Sequence, residues 1–229
     1  MELESFSKVC VMPRFRFIIS KFIHLRLTFS NMMGKGRMEA FSDGVIAIII
    51  TIMVLEMKVP HGVEFTDLKP LIPVFISYCL SFVYIGIYWN NHHHMLQAVH
   101  SINGITLWAN LHLLFWLSLI PFVTGWMGEN HFAQWPVFLY GLVLLMNALA
   151  YSILSNILIR HHGKKSELAS AVGRGNKGKL SVAIYATAMI VALFNPWISF
   201  GLYVVVAVIW FLPDRRIEKK LLHDNLPPE

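Results

Sequence analysis

The strongest constraint on the fold of this chain is the length of its uncharged stretches. Glu129 is the only formally charged residue between Lys69 and Arg160, and none occurs between Lys179 and Asp214. A helix of about 20 apolar residues is long enough to cross the hydrocarbon core of a bilayer. Charged residues make up only 14% of the 229 residues, whereas a soluble domain has about 25%. The sequence therefore predicts an all-α integral membrane protein with several spans.

Connections rich in proline, glycine and polar residues divide the apolar sequence into six predicted transmembrane helices. Residues 126–131 predict a short turn after the third helix, and residues 92–104 predict a polar hinge after the second. Asn195 precedes Pro196 and predicts a tight connection, because proline disfavours helix at the residue before it. The predicted spans are residues 38–57, 71–91, 103–125, 133–159, 179–194 and 197–213.

The six predicted helices form one domain, residues 37–213, between two terminal segments. Residues 1–36 form a basic extension that mixes charged and apolar residues, and it is interpreted as disordered or as an amphipathic helix on the membrane surface. A third interpretation is that residues 1–33 lie upstream of the true start, since Met32, Met33 and Met38 follow. Residues 214–229 form a short tail. Only two cysteines occur, Cys10 and Cys79, which argues against a framework of disulfides.

The basic residues predict how the chain is oriented in the membrane. Of the 19 Lys and Arg residues, all but Lys58 and Lys69 lie before the first span, within residues 160–179, or after the last span. By the positive-inside rule, both termini lie in the cytoplasm and the protein sits in the cell membrane as a multi-pass protein. The basic excess is thus an orientation signal and predicts no nucleic-acid partner. His161 and His162, in this basic connection, are expected to be solvated.

The first span carries two kinds of residue on two faces. At about 100° per residue, Ile48, Thr51 and Leu55 form one stripe that is about 10 Å long. Ser42 and Asp43 lie about 120–140° away from Ile48 around the helix. A carboxylate facing lipid is costly, so Ser42 and Asp43 need polar partners inside the protein. The periodicity alone leaves open whether the stripe faces lipid, the core or something else.

Polar residues on the second and third spans are the candidate partners of Ser42 and Asp43. They lie near the same predicted membrane surface, and indole and imidazole rings can donate hydrogen bonds to a carboxylate. The candidates are Trp89, His92, His93, His94 and Asn110.

Three motifs of this chain resemble those of the transmembrane protein 175 family of potassium channels. The segment 37-RMEAFSD-43 resembles the R-x-x-x-F-S-D signature of the family's first helix. The segment 88-YWNNHHHML-96 resembles the W-x-x-H stretch that ends its second helix, and 110-NLHLLFWLSLIPF-122 resembles a pattern in its third helix. The structural-motif residues assigned by this resemblance are Arg37, Phe41, Ser42, Asp43, Trp89, His92, His93 and Asn110.

The resemblance implies a single-repeat potassium channel that assembles as a homotetramer around a pore lined by the first helix. In the family, an aliphatic residue five positions after the motif aspartate constricts the pore, and that position here is Ile48. The positions eight and twelve after it are Thr51 and Leu55, so these three residues are the predicted pore and selectivity positions. The implied function is leak-type conduction of K⁺ through a hydrophobic constriction. The expected partners are lipid, K⁺ and three further copies, with no cofactor and no resident metal.

Other classes of protein fit the sequence less well. A secondary cation transporter or proton-coupled antiporter is the main alternative, but no inverted repeat or broken pair of helices is legible. An enzyme is not expected, because no nucleophile–base pair or metal motif is legible. A haem would need facing histidines at depth, and only His112 lies deep in a predicted span. The histidines from His92 to His94 are consecutive, so they fan out around a helix and cannot all bind one metal ion.

Two interpretations stay open for each of two charged residues at the ends of the predicted first span. Arg37 either lines a cytoplasmic vestibule or pairs with an acid. Glu56, at the outer end, either lies in a hydrated mouth or contributes to a ring that attracts cations.

Overall fold

The computed structural model describes residues 13–163, 166, 168–169 and 176–211, with side chains from Gly34 onward except that of Asn176. Within these residues all regular structure is helical. A short 3-10 helix, Phe65–Leu71, precedes the second α-helix. The α-helices are α1 (Pro13–Leu55), α2 (Ile72–Gln97), α3 (Gly104–Ser118), α4 (Ile120–Glu129), α5 (Gln134–His162), α6 (Asn176–Ala192) and α7 (Pro196–Phe211).

The helices correspond to the six predicted spans, with α3 and α4 together forming the third. Four helical segments are long and apolar enough to cross a membrane, and the shorter α7 is also apolar. The prediction of an all-α protein with six helical segments is therefore confirmed for the described residues. The four longer segments are Gly34–Leu55, Phe65–Gln97, Gly104–Glu129 and Gln134–His162.

Several helix ends differ from the predicted ones. α1 begins at Pro13, so no helix end marks the predicted boundary at residue 36. α2 continues to Gln97 through part of the predicted hinge, and α4 continues to Glu129 through part of the predicted turn. The chain reverses only at His131 and Phe132, whose φ angles are 51° and 58°. Histidine and glycine do not by themselves end a helix, so composition placed these breaks too early. The division at residue 36 stays a prediction, and the predicted tail at 214–229 lies outside the described residues.

The break between α3 and α4 follows from Pro121. Proline has no backbone N–H, so the carbonyl of Leu117 lacks its usual donor four residues later. The chain turns at Leu119, whose φ and ψ are −85° and −13°. Asn147 on α5 donates from Nδ2 to the nearby Trp116 carbonyl at 3.2 Å. Asn147 thus adds a side-chain donor beside the break, to a carbonyl that also accepts from the Leu119 amide at 3.3 Å.

The core of the bundle contains buried tyrosines that tie α2, α5 and α7 together. The Tyr84 hydroxyl donates to the Tyr203 carbonyl at 2.7 Å, and the Tyr203 hydroxyl donates to the Val137 carbonyl at 3.2 Å. Tyr140 packs against Tyr203 with ring centroids 5.6 Å apart. α1 lies outside this cluster and packs against α2, α3 and α4. One side of α1 is therefore left open in the single chain.

Candidate pore helix and its polar anchor

The C-terminal part of α1, residues 45–55, has a packed face and an open face. Ile46, Ile49 and Met53 are each at most 3% exposed and face the other helices. Ile48 is 58% exposed and Leu55 is 79% exposed in the single chain. Thr51 lies between them and is also exposed. The structure therefore places the three predicted pore positions together on the open face, although it does not show what covers that face.

The hydroxyl of Thr51 has a fixed direction. It donates to the carbonyl of Ile48 at 2.9 Å, three residues back along the helix. A hydroxyl has one hydrogen and two lone pairs. Because the backbone carbonyl accepts the hydrogen, both lone pairs of Oγ1 remain available to a donor or a cation on the open face.

The part of α1 around Ser42 is held by a buried polar cluster that we call the anchor. The anchor is formed by Ser42, His92 and Asn110. All three residues are at most 1% exposed. Ser42 donates from Oγ to the Met38 carbonyl at 2.8 Å and accepts from Asn110 Nδ2 at 2.9 Å. Asn110 Oδ1 lies 2.8 Å from His92 Nε2. The Asn110 amide thus joins α1 to α2 and α3 at one point.

The directions of the hydrogen bonds in the anchor follow from the groups involved. The Ser42 hydrogen is already used by a carbonyl, so Asn110 must donate to it with its NH₂ group. Asn110 Oδ1 then accepts, and His92 Nε2 carries a hydrogen. Among the described residues, His92 Nδ1 has no hydrogen-bond partner. In the neutral imidazole, Nδ1 is a buried acceptor without a partner. In the protonated ring it would be a buried donor without a partner, which is tolerated less readily, so the neutral imidazole fits the site best.

Asp43 has a separate partner on α2. Its Oδ1 accepts from Trp89 Nε1 at 3.0 Å. The Trp89 ring stacks on the ring of His93, with centroids 5.9 Å apart and an interplanar angle of 17°. His93 Nδ1 lies 3.3 Å from Oε1 of Glu39. Asp43 and Glu39 therefore both reach α2 from the same side of α1.

Sequence reasoning missed Glu39, although a signal was available. Glu39 lies four residues before Asp43, so the two carboxylates share one face of α1. Trp89 and His93 have the same spacing on α2. Because α1 and α2 are expected to touch, these two pairs of residues predict two side-chain contacts between the helices, one turn apart.

The remaining motif residues are exposed in the single chain. Phe41 is 54% exposed, and His94 is exposed beyond the stacked His93. Arg37 is exposed, and no carboxylate of the described chain lies within 4 Å of it. Neither interpretation of Arg37 is decided by these contacts.

Two other histidines differ from expectation or bear on alternatives. His162 belongs to α5, is half-buried and is hydrogen-bonded to backbone groups, so it is solvated only in part. It lies there because α5 continues past Arg160 into the predicted connection. His112 Nε2 accepts from Trp116 Nε1 at 3.0 Å, so that nitrogen is already engaged. In the described part of the chain, no group of three potential ligands lies close enough to hold a metal ion.

An open cavity of about 540 Å³ lies between the C-terminal part of α1 and α4. Ile48 and Ile52 line it from α1, while Phe122 and Trp126 line it from α4. The two ring systems are stacked, with centroids 6.4 Å apart. The open face of α1 is therefore continuous with a mostly apolar cleft.

Two carboxylates, of Glu56 and Glu129, lie at one end of this cleft. Lys58 Nζ lies 2.7 Å from Glu129 Oε1. The hydrogen bond and the negative charge of Glu129 raise the pKa of Lys58. The Lys58–Glu129 pair is exposed, so it contributes little to stability. Glu56, the other carboxylate at this end, has no ion-pair partner among the described residues.

Replacing Asp43 by alanine is expected to weaken the assembled protein. The change removes the acceptor for Trp89 Nε1, and a hydrogen bond to a charged group is worth about 1.5–3 kcal/mol. Asp43→Asn retains a carbonyl oxygen at nearly the same place and serves as the control. We expect the thermal stability in detergent to fall, and the size-exclusion elution to differ from that of the wild type, for Asp43→Ala only. Wild-type elution and thermal stability of Asp43→Ala would contradict the proposed role of this contact.

The fold and the anchor define the class of this protein. Membrane-length helices, one of which is held by buried polar contacts and has an open apolar face, define an α-helical integral membrane protein. The sequence model of the family described as "Endosomal/lysosomal potassium channel TMEM175" matches residues 37–121, which contain all the motif residues.

Individual relatives extend the match to most of the chain. A potassium channel of Chryseobacterium sp. strain P1-3 is 55% identical over 189 residues, which cover 82% of this chain and 98% of the relative. The crystal structure of a lysosomal potassium-selective channel TMEM175 homolog from Chamaesiphon minutus matches with a TM-score of 0.66 and 26% identity. That match covers 78% of this chain and 96% of the other. This chain belongs to the TMEM175 family, whose members are ion channels and not enzymes.

An animal relative matches over a shorter stretch. The endosomal/lysosomal proton channel TMEM175 of Gallus gallus is 32% identical over 104 residues, which is 40% of this chain but 21% of the relative. The present chain thus corresponds to a small part of that protein and to nearly all of the bacterial one.

Proposed function

We propose that four copies of this chain assemble around a potassium-selective pore that α1 lines. The observation that carries the proposal is the exposed stripe of Ile48, Thr51 and Leu55 on a helix whose opposite face is packed and anchored. A stripe facing lipid would not need such precise fixation, because lipid adapts to any rotation of the helix. Relatives named as potassium channels, matched over nearly their whole length, support the choice of ion.

The proposed constriction selects between ions by the cost of removing their water. A ring of four Ile48 side chains supplies no ligands, so an ion that passes it must shed water or cross a widened, wetted opening. Potassium holds its water less tightly than sodium, and the same constriction therefore costs potassium less. Leu55, about two turns further along the stripe, forms the second narrow point. The carbonyl filter T-V-G-Y-G of other potassium channels does not occur in the sequence.

Thr51 supplies the proposed ligands between the two apolar rings. Its hydroxyl hydrogen is used by the Ile48 carbonyl, so the oxygen that faces the pore is an acceptor. Four such oxygens replace part of the lost hydration of a cation. They offer nothing to an anion, because their hydrogens point back to the helix.

The proposed orientation puts both chain termini in the cytoplasm of the cell. The support is the distribution of basic residues, which follows the positive-inside rule. The anchor then lies near the cytoplasmic surface, and Glu56 and Glu129 lie near the outer surface. We further propose that conduction is of the leak type, since none of the six predicted spans carries the repeated arginines of a voltage sensor.

Removing the hydroxyl of Thr51 is expected to lower selectivity without closing the pore. Thr51→Val has nearly the same shape and lacks the acceptor, so the potassium-over-sodium permeability ratio should fall about threefold to tenfold, where tenfold equals about 1.4 kcal/mol. The matched control is Thr51→Ser, which retains the hydroxyl. Reversal potentials under mixed potassium and sodium gradients in planar bilayers measure the ratio. An unchanged ratio in Thr51→Val, or an equal loss in Thr51→Ser, would contradict the assignment.

A further inference from the structure

The side chain of His162 joins the end of α5 to the connection between α2 and α3. His162 Nδ1 lies 3.0 Å from the carbonyl oxygen of Leu158, one turn back along α5. Its Nε2 lies 3.3 Å from the backbone nitrogen of His100 and 3.4 Å from that of Ser101. Beside it, His161 Nε2 lies 3.2 Å from the Ser101 hydroxyl. Two consecutive histidines therefore hold one short connection.

The partners of His162 specify the form of its imidazole. A carbonyl oxygen only accepts, so Nδ1 must carry a hydrogen, and backbone N–H groups only donate, so Nε2 must keep its lone pair. The neutral ring with hydrogen on Nδ1 satisfies all three contacts. A second proton would turn Nε2–H toward two other N–H groups, and both of these hydrogen bonds would be lost.

The surroundings offer a second proton on His162 little compensation. Among the described residues, no carboxylate lies within 4 Å of the ring, although the carbonyls at the end of α5 favour positive charge. The His100 ring lies 6.4 Å from the His162 ring, and the His161 ring lies 5.0 Å from it. The titratable and charged side chains described on the segments that meet here are all basic: His100, Arg160, His161, Lys177 and Lys179.

We infer that His162 is a positioning residue for the α2–α3 connection, and that protonation of its Nε2 releases this connection from α5. Acidification of the surface where α5 ends therefore favours this release. By contrast, the described hydrogen bond of the exposed His161 is to a hydroxyl, which can donate or accept and so tolerates either form of the ring.

The released connection lies between the two helices that hold the pore helix. His92, on α2, and Asn110, on α3, belong to the anchor that fixes α1 through Ser42. Loosening the connection gives α2 and α3 freedom to separate, which weakens the anchor. An effect on conduction rests on the proposed function. The hydrogen bonds by which His162 holds the α2–α3 connection, which we call the fastening, do not depend on it.

Amide hydrogen exchange of the protein in lipid nanodiscs tests the inference. We expect the protection of the His100 and Ser101 amides, corrected for intrinsic exchange, to fall about tenfold between about pH 7.5 and pH 5.5. In His162→Gln the fall should be absent, because the glutamine oxygen accepts from the same amides and takes up no proton in this range. His161→Gln is the matched control and should behave like the wild type.

Constant protection in the wild type, or the same fall in His162→Gln, would overturn the inference. His162→Ala, which has no acceptor, should show low protection at both pH values, and high protection there would also overturn it. Potassium flux from vesicles separates the fastening from its effect. Unchanged wild-type flux while protection falls would reject the coupling to conduction alone. Absence of flux in every protein at both pH values would count against the proposed function and not against the fastening.

Discussion

Replacing Ile48 by asparagine is expected to raise the potassium conductance of the channel and to reduce its preference for potassium. Ile48 is 58% exposed on the open face of α1, and in the proposed tetramer its side chains form a dry constriction. Amide groups would wet the constriction and supply ligands to either cation. A barrier lowered by about 1.4 kcal/mol raises a rate tenfold. We therefore expect roughly tenfold larger unitary potassium currents and a potassium-over-sodium ratio near one, measured in planar bilayers.

Position and polarity can be separated with two controls for Ile48→Asn. Val54→Asn introduces the same group on a residue that is 44% exposed but lies about 120° from Ile48 around the helix. Ile48→Val keeps the constriction apolar. Neither control should change selectivity by more than about a factor of two. If Val54→Asn reproduces the effect, or if Ile48→Asn conducts like the wild type, α1 does not present this face to the ions.

Replacing Gly128 by alanine is expected to destabilise the whole bundle. A Cβ atom at Gly128 would lie 2.6 Å from Cα of Val74 and 2.6 Å from Oγ of Ser77. The backbone of α2 cannot yield as a flexible side chain would, so α2 and α4 must separate. Overpacking of this kind costs about 1–3 kcal/mol or more. At about 2–4 °C per kcal/mol for a chain of this size, the thermal midpoint in detergent should fall by roughly 10 °C.

Gly125 provides the matched control on the same helix. A Cβ atom there would meet only the Glu56 side chain, at an ordinary contact distance of 3.7 Å. Alanine is favoured over glycine inside a helix by about 1 kcal/mol. Gly125→Ala should therefore be neutral or slightly stabilising in the same measurement. Equal stability of the two variants would show that α4 does not cross α2 as closely as described.

Several parts of the fold were predictable because they depend on local composition. The lack of charge between Lys69 and Arg160 is enough to require membrane-spanning helices, since every backbone polar group in lipid must be paired within its own segment. Pro196 likewise predicted a tight connection after Asn195, and Asn195 Oδ1 accepts from the amides of Trp197 and Ile198 at 3.1 and 3.3 Å. Helix ends set by packing were predicted less well, as at Gly128, where a glycine serves the approach of α2 and not a turn.

The candidate site divides in the same way. Helical periodicity alone put Ile48, Thr51 and Leu55 on one face, and Ser42 and Asp43 on another. It could not choose partners, because five polar residues near the same surface were all suitable. The structure pairs Trp89 with Asp43 and joins Asn110 to both Ser42 and His92. It also adds Glu39, whose spacing from Asp43 had carried the information.

The sequence by itself determined that this chain spans the membrane as helices and which residues share a face of α1, because both depend on composition and on the fixed period of the helix. Its motifs further predicted the family. Only the tertiary structure decided that His162 holds the α2–α3 connection, that Asn147 donates a hydrogen bond beside the break at Pro121, and that Asn110 holds α1 between α2 and α3. These contacts join residues that lie 18 to 68 positions apart. Which of them form depends on how the helices pack, and no local pattern encodes that packing.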